Sequence, residues 1–206
     1  MCLYTKSGKP EVSDNETECW KIFAVVRHCK TGMVWRTSPH TDYIIPDAAV
    51  RGLLPMESGD PYVFDVWRKQ IEETHEVGRG FIHSYAGKIC AEIKLKTEYE
   101  RWFELLAKCD YKYQIEIENC QPGEDSKVEL LGYELRRCVI PAGEYFYTGL
   151  VNPNGNDGSL GYASRKIEIK EVEKYIVPKK NGQERPSNLE GIMGMGGVIP
   201  IPGVRR

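Results

Sequence analysis

The chain has 206 residues, 41% of them hydrophobic and 28% charged, with a formal net charge of −2. That length suits one domain, or one domain with an appendage, and the composition supplies a core. The charge excludes a general nucleic-acid binder, which carries a basic excess, and no apolar run approaches the roughly 18 residues of a membrane-spanning helix.

Met1 to Thr17 is polar, with turn signals at Ser7-Gly8-Lys9-Pro10 and Ser13-Asp14-Asn15. No apolar stretch accompanies Lys6 and Lys9, so a secretory leader is not expected and the chain is expected in the cytoplasm. The seven cysteines include no C-x-x-C pair. This fits a reducing compartment, where Cys19, Cys90, Cys109, Cys120 and Cys138 pack as small apolar groups rather than as a disulfide framework. His28, His40, His75 and His83 are scattered, so no metal centre is expected.

Cys19 to His28 (CWKIFAVVRH) is β-branched and aromatic and predicts the first strand. Gly32 then supplies a hairpin turn, with Met33 to Thr37 returning. Asp42 to Pro46 is a short apolar piece stopped by its proline, and Asp47 to Asp60, with Gly52, Pro55 and Gly59, predicts irregular surface structure. In Tyr62 to Val77 the residues Val63, Val66, Trp67 and Ile71 recur at helical spacing, while the polar close Glu72 to Glu76 suits a loop.

Gly78-Arg79-Gly80 leads into Phe81-Ile82-His83-Ser84-Tyr85. As a strand, this run places Phe81, His83 and Tyr85 on one face and Ile82 and Ser84 on the other. Lys88 to Lys94 predicts more strand. Thr97 and Glu100 have capping-box spacing, and the stripe Trp102, Leu105, Leu106, Cys109 predicts one main helix over 97–109. Tyr111 to Glu118 alternates as a strand with one wet face.

Val128 to Ile140 and Glu144 to Val151 predict further strands around a turn at Pro141-Ala142-Gly143. Asn152 to Gly161 reads as a long loop able to cover a site, and Tyr162 to Val172 as a closing strand. From Pro178 the composition changes: ten of the last 29 residues are Gly or Pro, with five basic residues against two acidic. This predicts an extended tail, 178–206, after a single domain over 1–177.

The candidate ligand-binding residues are Arg27, His28, His83, Ser84 and Tyr85. Gly78 and Gly80 permit close backbone approach beside the last three. Against this stands the plainer reading of Phe81 and Tyr85 as core and His83 as a half-buried structural histidine. Arg27, His28 and His40 also suit a polar rim at strand ends. Glu116, Glu118 and Glu134 are candidate carboxylates, although alternation in a solvated strand explains them equally.

Three segments in this order, Gly80 to Tyr85, Cys138 to Gly149 and Tyr162 to Ile169, with the start Met1-Cys2-Leu3-Tyr4-Thr5-Lys6, resemble an uncharacterised family of gut-bacterial and phage proteins. The resemblance covers roughly 1–172 and implies no particular activity. A second similarity is to the ADP-ribosyltransferase-like fold, which would cast Arg27 or His28 and then Ser84 or Tyr85 as residues around a nicotinamide. The glutamate such enzymes use has no matching motif here.

The expected fold is therefore α+β: a mostly antiparallel, partly split sheet with one main helix and an extended tail. The expected function is a non-enzymatic interaction protein encoded by a phage or mobile element, without cofactor. It would bind a host or virion protein, with Val198, Ile199, Pro200, Ile201 and Pro202 as one contact. The competing expectation is an NAD-binding protein or enzyme of the ADP-ribosyltransferase-like kind.

Overall fold

The computed structural model describes residues 3–28, 31–37, 44–57, 61–78, 80–97, 128–151 and 158–176. Of the predicted main helix over 97–109 only Thr97 is among the described residues; 98–109, the strand Tyr111 to Glu118 and the tail 178–206 lie outside them.

The α+β expectation is overturned. The described residues are mostly antiparallel sheet, with strand making up 54% of them. The helices among the described residues are three and short: α1 (Asp47–Val50), α2 (Pro61–Thr74) and α3 (88–97). None dominates. The strands are β1 (Leu3–Thr5), β2 (Glu11–Val12), β3 (Thr17–His28), β4 (Val34–Thr37), β5 (Ile44–Ile45), β6 (Met56–Glu57), β7 (Glu76–Val77), β8 (Ile82–Tyr85), β9 (Val128–Ile140), β10 (Tyr145–Val151), β11 (Ser159–Ser164) and β12 (Lys166–Ile176).

Their order in the open sheet is β6-β12-β9-β3-β8-β11-β10-β1-β7, with β2 beside β10, β4 beside β3, and β5 beside β4. The two longest strands, β3 and β9, run side by side from Thr17↔Ile140 to His28↔Val128. A single pair, Trp20↔Tyr85, links β3 to β8 and so joins the two halves. The predicted closing strand is in fact two. The chain bends at Arg165, so β11 pairs with β10 and β8 while β12 pairs with β9.

Both faces of this sheet are covered, which is why β8 is buried at all four positions. Ile22, Ala24 and Val26 of β3, Tyr133 and Leu135 of β9, and Phe81 and Tyr85 share one core layer with Ile71 of α2 and Ala91 and Leu95 of α3. The alternate residues Cys19, Phe23, Cys138, Ile140 and Ile82 join Ile45, Ala49, Val50 and Met56 in the other. Thus Asp47 to Asp60, expected to be irregular surface, supplies α1 and β6 as a lid on the second face. Each large aliphatic side chain buried this way contributes about 1.5–3 kcal/mol.

Local chemistry explains the connections. Helix α2 opens on Pro61, whose missing N–H is no loss in a first turn. It closes where His75 turns left-handed (φ 59°). There the His75 N–H donates to the Ile71 carbonyl (2.8 Å), and the Thr5 N–H donates to the His75 carbonyl (2.9 Å), pinning the helix end to β1. Glu72, Glu73 and Thr74, expected as loop, complete the helix. Val66, expected on its apolar stripe, is exposed, whereas Ile71 is buried.

Lys88 to Lys94, expected as strand, is helical. Thr97 does not cap a following helix: it sits in α3 and its hydroxyl donates to the Ile93 carbonyl one turn back (3.0 Å). Gly149 shows why β10 carries a glycine, since a Cβ there would lie 2.3 Å from the Tyr4 carbonyl oxygen of β1. Ser159 to Gly161, expected within the loop after Val151, belongs to β11.

Candidate functional site

The alternation expected around His83 holds. Phe81 and Tyr85 enter the first core layer and Ile82 the second, which sets the His83 ring on the first face and the Ser84 hydroxyl on the second. His83 Nε2 lies 3.0 Å from the Gly78 carbonyl. A carbonyl only accepts, so Nε2 carries the proton and Nδ1 presents its lone pair, which has no hydrogen-bond partner among the described residues. Burial, only partly offset by the Gly78 bond, lowers the imidazole pKa to about 4, so the ring is neutral.

Gly78 also borders a cleft of about 180 Å³ with Trp67, Gln70, Ile71, Thr74 and Glu76. That volume falls below the roughly 300–1,000 Å³ of ordinary ligand pockets, and a dinucleotide needs the upper end of that range. The Trp67 ring lies 3.6 Å from where a Cβ on Gly80 would sit, so this glycine serves packing as well as its positive φ of 100°.

The second face holds the chemistry that the sequence did not reveal. Lys21 of β3 is buried and donates from Nζ to the His83 backbone carbonyl (2.8 Å), with the ammonium 5.8 Å from the centre of the Phe23 ring. Burial lowers its pKa to about 8, against the pull of the Cys138 and Cys19 thiols. Burial raises Cys19 to about 11, partly opposed by the nearby Ser84 hydroxyl and by the Lys21 charge. Burial also pushes the Cys138 thiol well up, with Lys21 again opposing.

Further along the same face, Glu134 is gripped from two sides. Arg36 of β4 donates through Nε (3.2 Å) and a terminal nitrogen (2.9 Å), and Arg136 donates through Nε (2.8 Å). Arg136 also ties down α1 through the Val50 carbonyl (2.9 Å). Burial alone would raise the Glu134 carboxyl, but the two guanidiniums outweigh it and hold it below the ordinary range. The expectation of Glu134 as a solvated strand residue is therefore corrected: it is 5% exposed and fully committed to arginine.

The expected ligand site is not gathered in one place. Strand alternation sets Arg27 on the face of Phe23 and Ser84, opposite His83 and Tyr85. Arg27 also stands seven residues beyond Trp20, the partner of Tyr85, which is roughly 23 Å along an extended strand. His28 ends β3, and its side chain lies outside what is described. His40, Glu116, Glu118 and the segment Val198 to Pro202 lie outside the described residues.

Lys21, Arg136 and the Cys19–Cys138 pair were missed. Their trace in the sequence is the spacing of Cys19 from Lys21, and of Glu134 from Arg136 and Cys138, in steps of two on single strands. Together they make a buried, net-cationic layer with thiols at one end.

Among the described residues no helix is long and apolar enough to cross a membrane. No protein-family model, curated protein or solved structure matches the chain.

Proposed function

We propose that this chain is a non-enzymatic interaction protein, of phage or mobile-element origin, that binds a host or virion protein. The observation that carries the reading is an apolar row on the sheet. Leu150 of β10 and Leu160 of β11 are direct partners, and Tyr4 of β1 lies opposite Leu150 on its other side. Partners in register share a face. The two leucines are 40% and 47% exposed, on the face whose other half is covered by α1, β5 and β6. Adjacent exposed leucines in a sheet are a feature of contact surfaces.

In this reading the segment Val198-Ile199-Pro200-Ile201-Pro202 supplies a second contact, its alternation of aliphatic residues and prolines being a composition suited to a groove or sheet edge. The test uses the tagged full chain as bait, with affinity measured for the captured partner. Leu150→Glu/Leu160→Glu should weaken that affinity at least tenfold while leaving the thermal midpoint unchanged, and deletion of 178–206 should weaken it as well. Unchanged affinity in both variants refutes the reading. Saturable binding of NAD, lost in His83→Ala, would replace it with the nucleotide-binding one.

A further inference from the structure

Cys19 of β3 and Cys138 of β9 are partners in antiparallel register. Residues so opposed send their side chains to the same face with Cα atoms about 4.5–5.5 Å apart. A disulfide spans Cα separations of about 4.4–6.8 Å. Both thiols are free and wholly buried, and both belong to the second core layer. Their neighbours are Ser84, whose hydroxyl acts on Cys19, and Lys21, whose charge acts on both sulfurs.

From this opposition we propose that Cys19 and Cys138 form a latent cross-strand dithiol, closed to a disulfide by hydroperoxides and reopened by low-molecular-weight thiols. In closing, the O–O bond of the peroxide breaks as one oxygen passes to a sulfur, giving a sulfenic acid and an alcohol (water, for hydrogen peroxide). The second thiol then attacks that sulfur. The S–S bond forms, the S–O bond breaks, and water departs with the second thiol's proton. The sulfur pair loses two electrons and the peroxide gains them. In reopening, two external thiols become one external disulfide and both cysteines regain their protons.

The surroundings fit a device that rests reduced. Burial keeps both thiols protonated, and the thiolate is the reactive form. An oxidant therefore acts when the layer under α1 opens, and Lys21 and Ser84 stand ready to support a thiolate once it does. The bond would fasten together the two longest strands and close a loop on the order of a hundred residues, a large constraint on the unfolded chain.

The test treats the native full chain with hydrogen peroxide, blocks remaining thiols, digests without reductant and reads the peptides by mass spectrometry. The expected result is a linked peptide joining Cys19 to Cys138, lighter by two hydrogens, abolished by dithiothreitol and accompanied by a higher thermal midpoint. Cys19→Ser and Cys138→Ser should each abolish the link and the rise in midpoint, and Cys90→Ser should abolish neither. If the serine variants fail to fold, alanine replaces serine, and the linked peptide from the wild-type chain is decisive by itself. Recovery of both cysteines unlinked while Cys90 is oxidised overturns the proposal. So does a Cys19–Cys138 link that forms only in denaturant, or one in which either residue joins a different cysteine.

Discussion

Replacing Lys21 by methionine should make this protein more stable, although it removes a hydrogen bond. Only 6% of Lys21 meets solvent, and burial takes its ammonium from an ordinary pKa of 10.5 to about 8. At about 1.36 kcal/mol per pH unit, that gap costs the folded state on the order of 3 kcal/mol for keeping the charge at neutral pH. Methionine keeps the apolar stem but forfeits the bond to the His83 carbonyl, about 1–1.5 kcal/mol, and the cation beside Phe23, about 0.5 kcal/mol. The net expectation is a gain of about 1–2 kcal/mol at pH 7.

The pH dependence is the sharper test. A lysine whose folded pKa is depressed is neutral in both states above pH 10.5, where it costs nothing. Its penalty grows as pH falls from 10.5 and is complete below about 8. Urea unfolding of both proteins at pH 7 and pH 9.5, with reductant present, should show equal slopes and an advantage for Lys21→Met that shrinks at the higher pH. A variant less stable than wild type by more than about 1 kcal/mol at pH 7, or an advantage identical at both pH values, would refute the reasoning.

Glu134→Gln should destabilise by about 3 kcal/mol, because it leaves the buried Arg136 and the partly buried Arg36 without their counter-charge. Adding Arg136→Met should recover more than half of that loss in the same urea assay. His83, neutral in the fold with its pKa near 4, costs nothing above pH 6.5, and its penalty grows as pH falls through 6.5 toward 4. Wild type should therefore lose about 2 kcal/mol more than His83→Leu between pH 7 and pH 5, and parallel acid limbs would count against the buried neutral ring. Gly149→Ala should cost at least ~2 kcal/mol, visible as a lowered thermal midpoint by circular dichroism, since its Cβ collides with the Tyr4 backbone.

The strands were legible where alternation met a turn residue. Cys19 to His28, Gly32 and the return to Thr37 became β3, a left-handed glycine and β4. Val128 to Ile140 and Gly143 followed the same logic. Helix α3 was not legible, because its two isoleucines, Ile89 and Ile93, are exposed and the burial is done by Ala91 and Leu95. An apolar residue at every other or every fourth position then reads equally as strand or helix.

The polar layer was hidden for a different reason. Alternating polar residues on a strand ordinarily mean a wet face. Here Lys21, Glu134 and Arg136 satisfy a backbone carbonyl and one another beneath a short helix. Only the cover supplied by Asp47 to Glu57 distinguishes the two cases, and it comes from sequence that reads as loop. Leu3, fully buried in β1, was lost in the same way, inside a segment whose average is polar.

The strand order has a consequence for how the molecule comes together. Residues 17–28 find their long partner only in residues 128–140, and Leu3 finds Val151. Most of the sheet's ladder thus joins early sequence to late sequence, the arrangement in which loop-closure entropy is spent before contacts return it. Folding should be slow for a chain of this size. In the interval β3 carries an apolar face and, toward the place of β9, an open hydrogen-bonding edge, the state most exposed to pairing with another copy. The hairpin to β4, closed locally by Gly32, covers part of the other edge from the start.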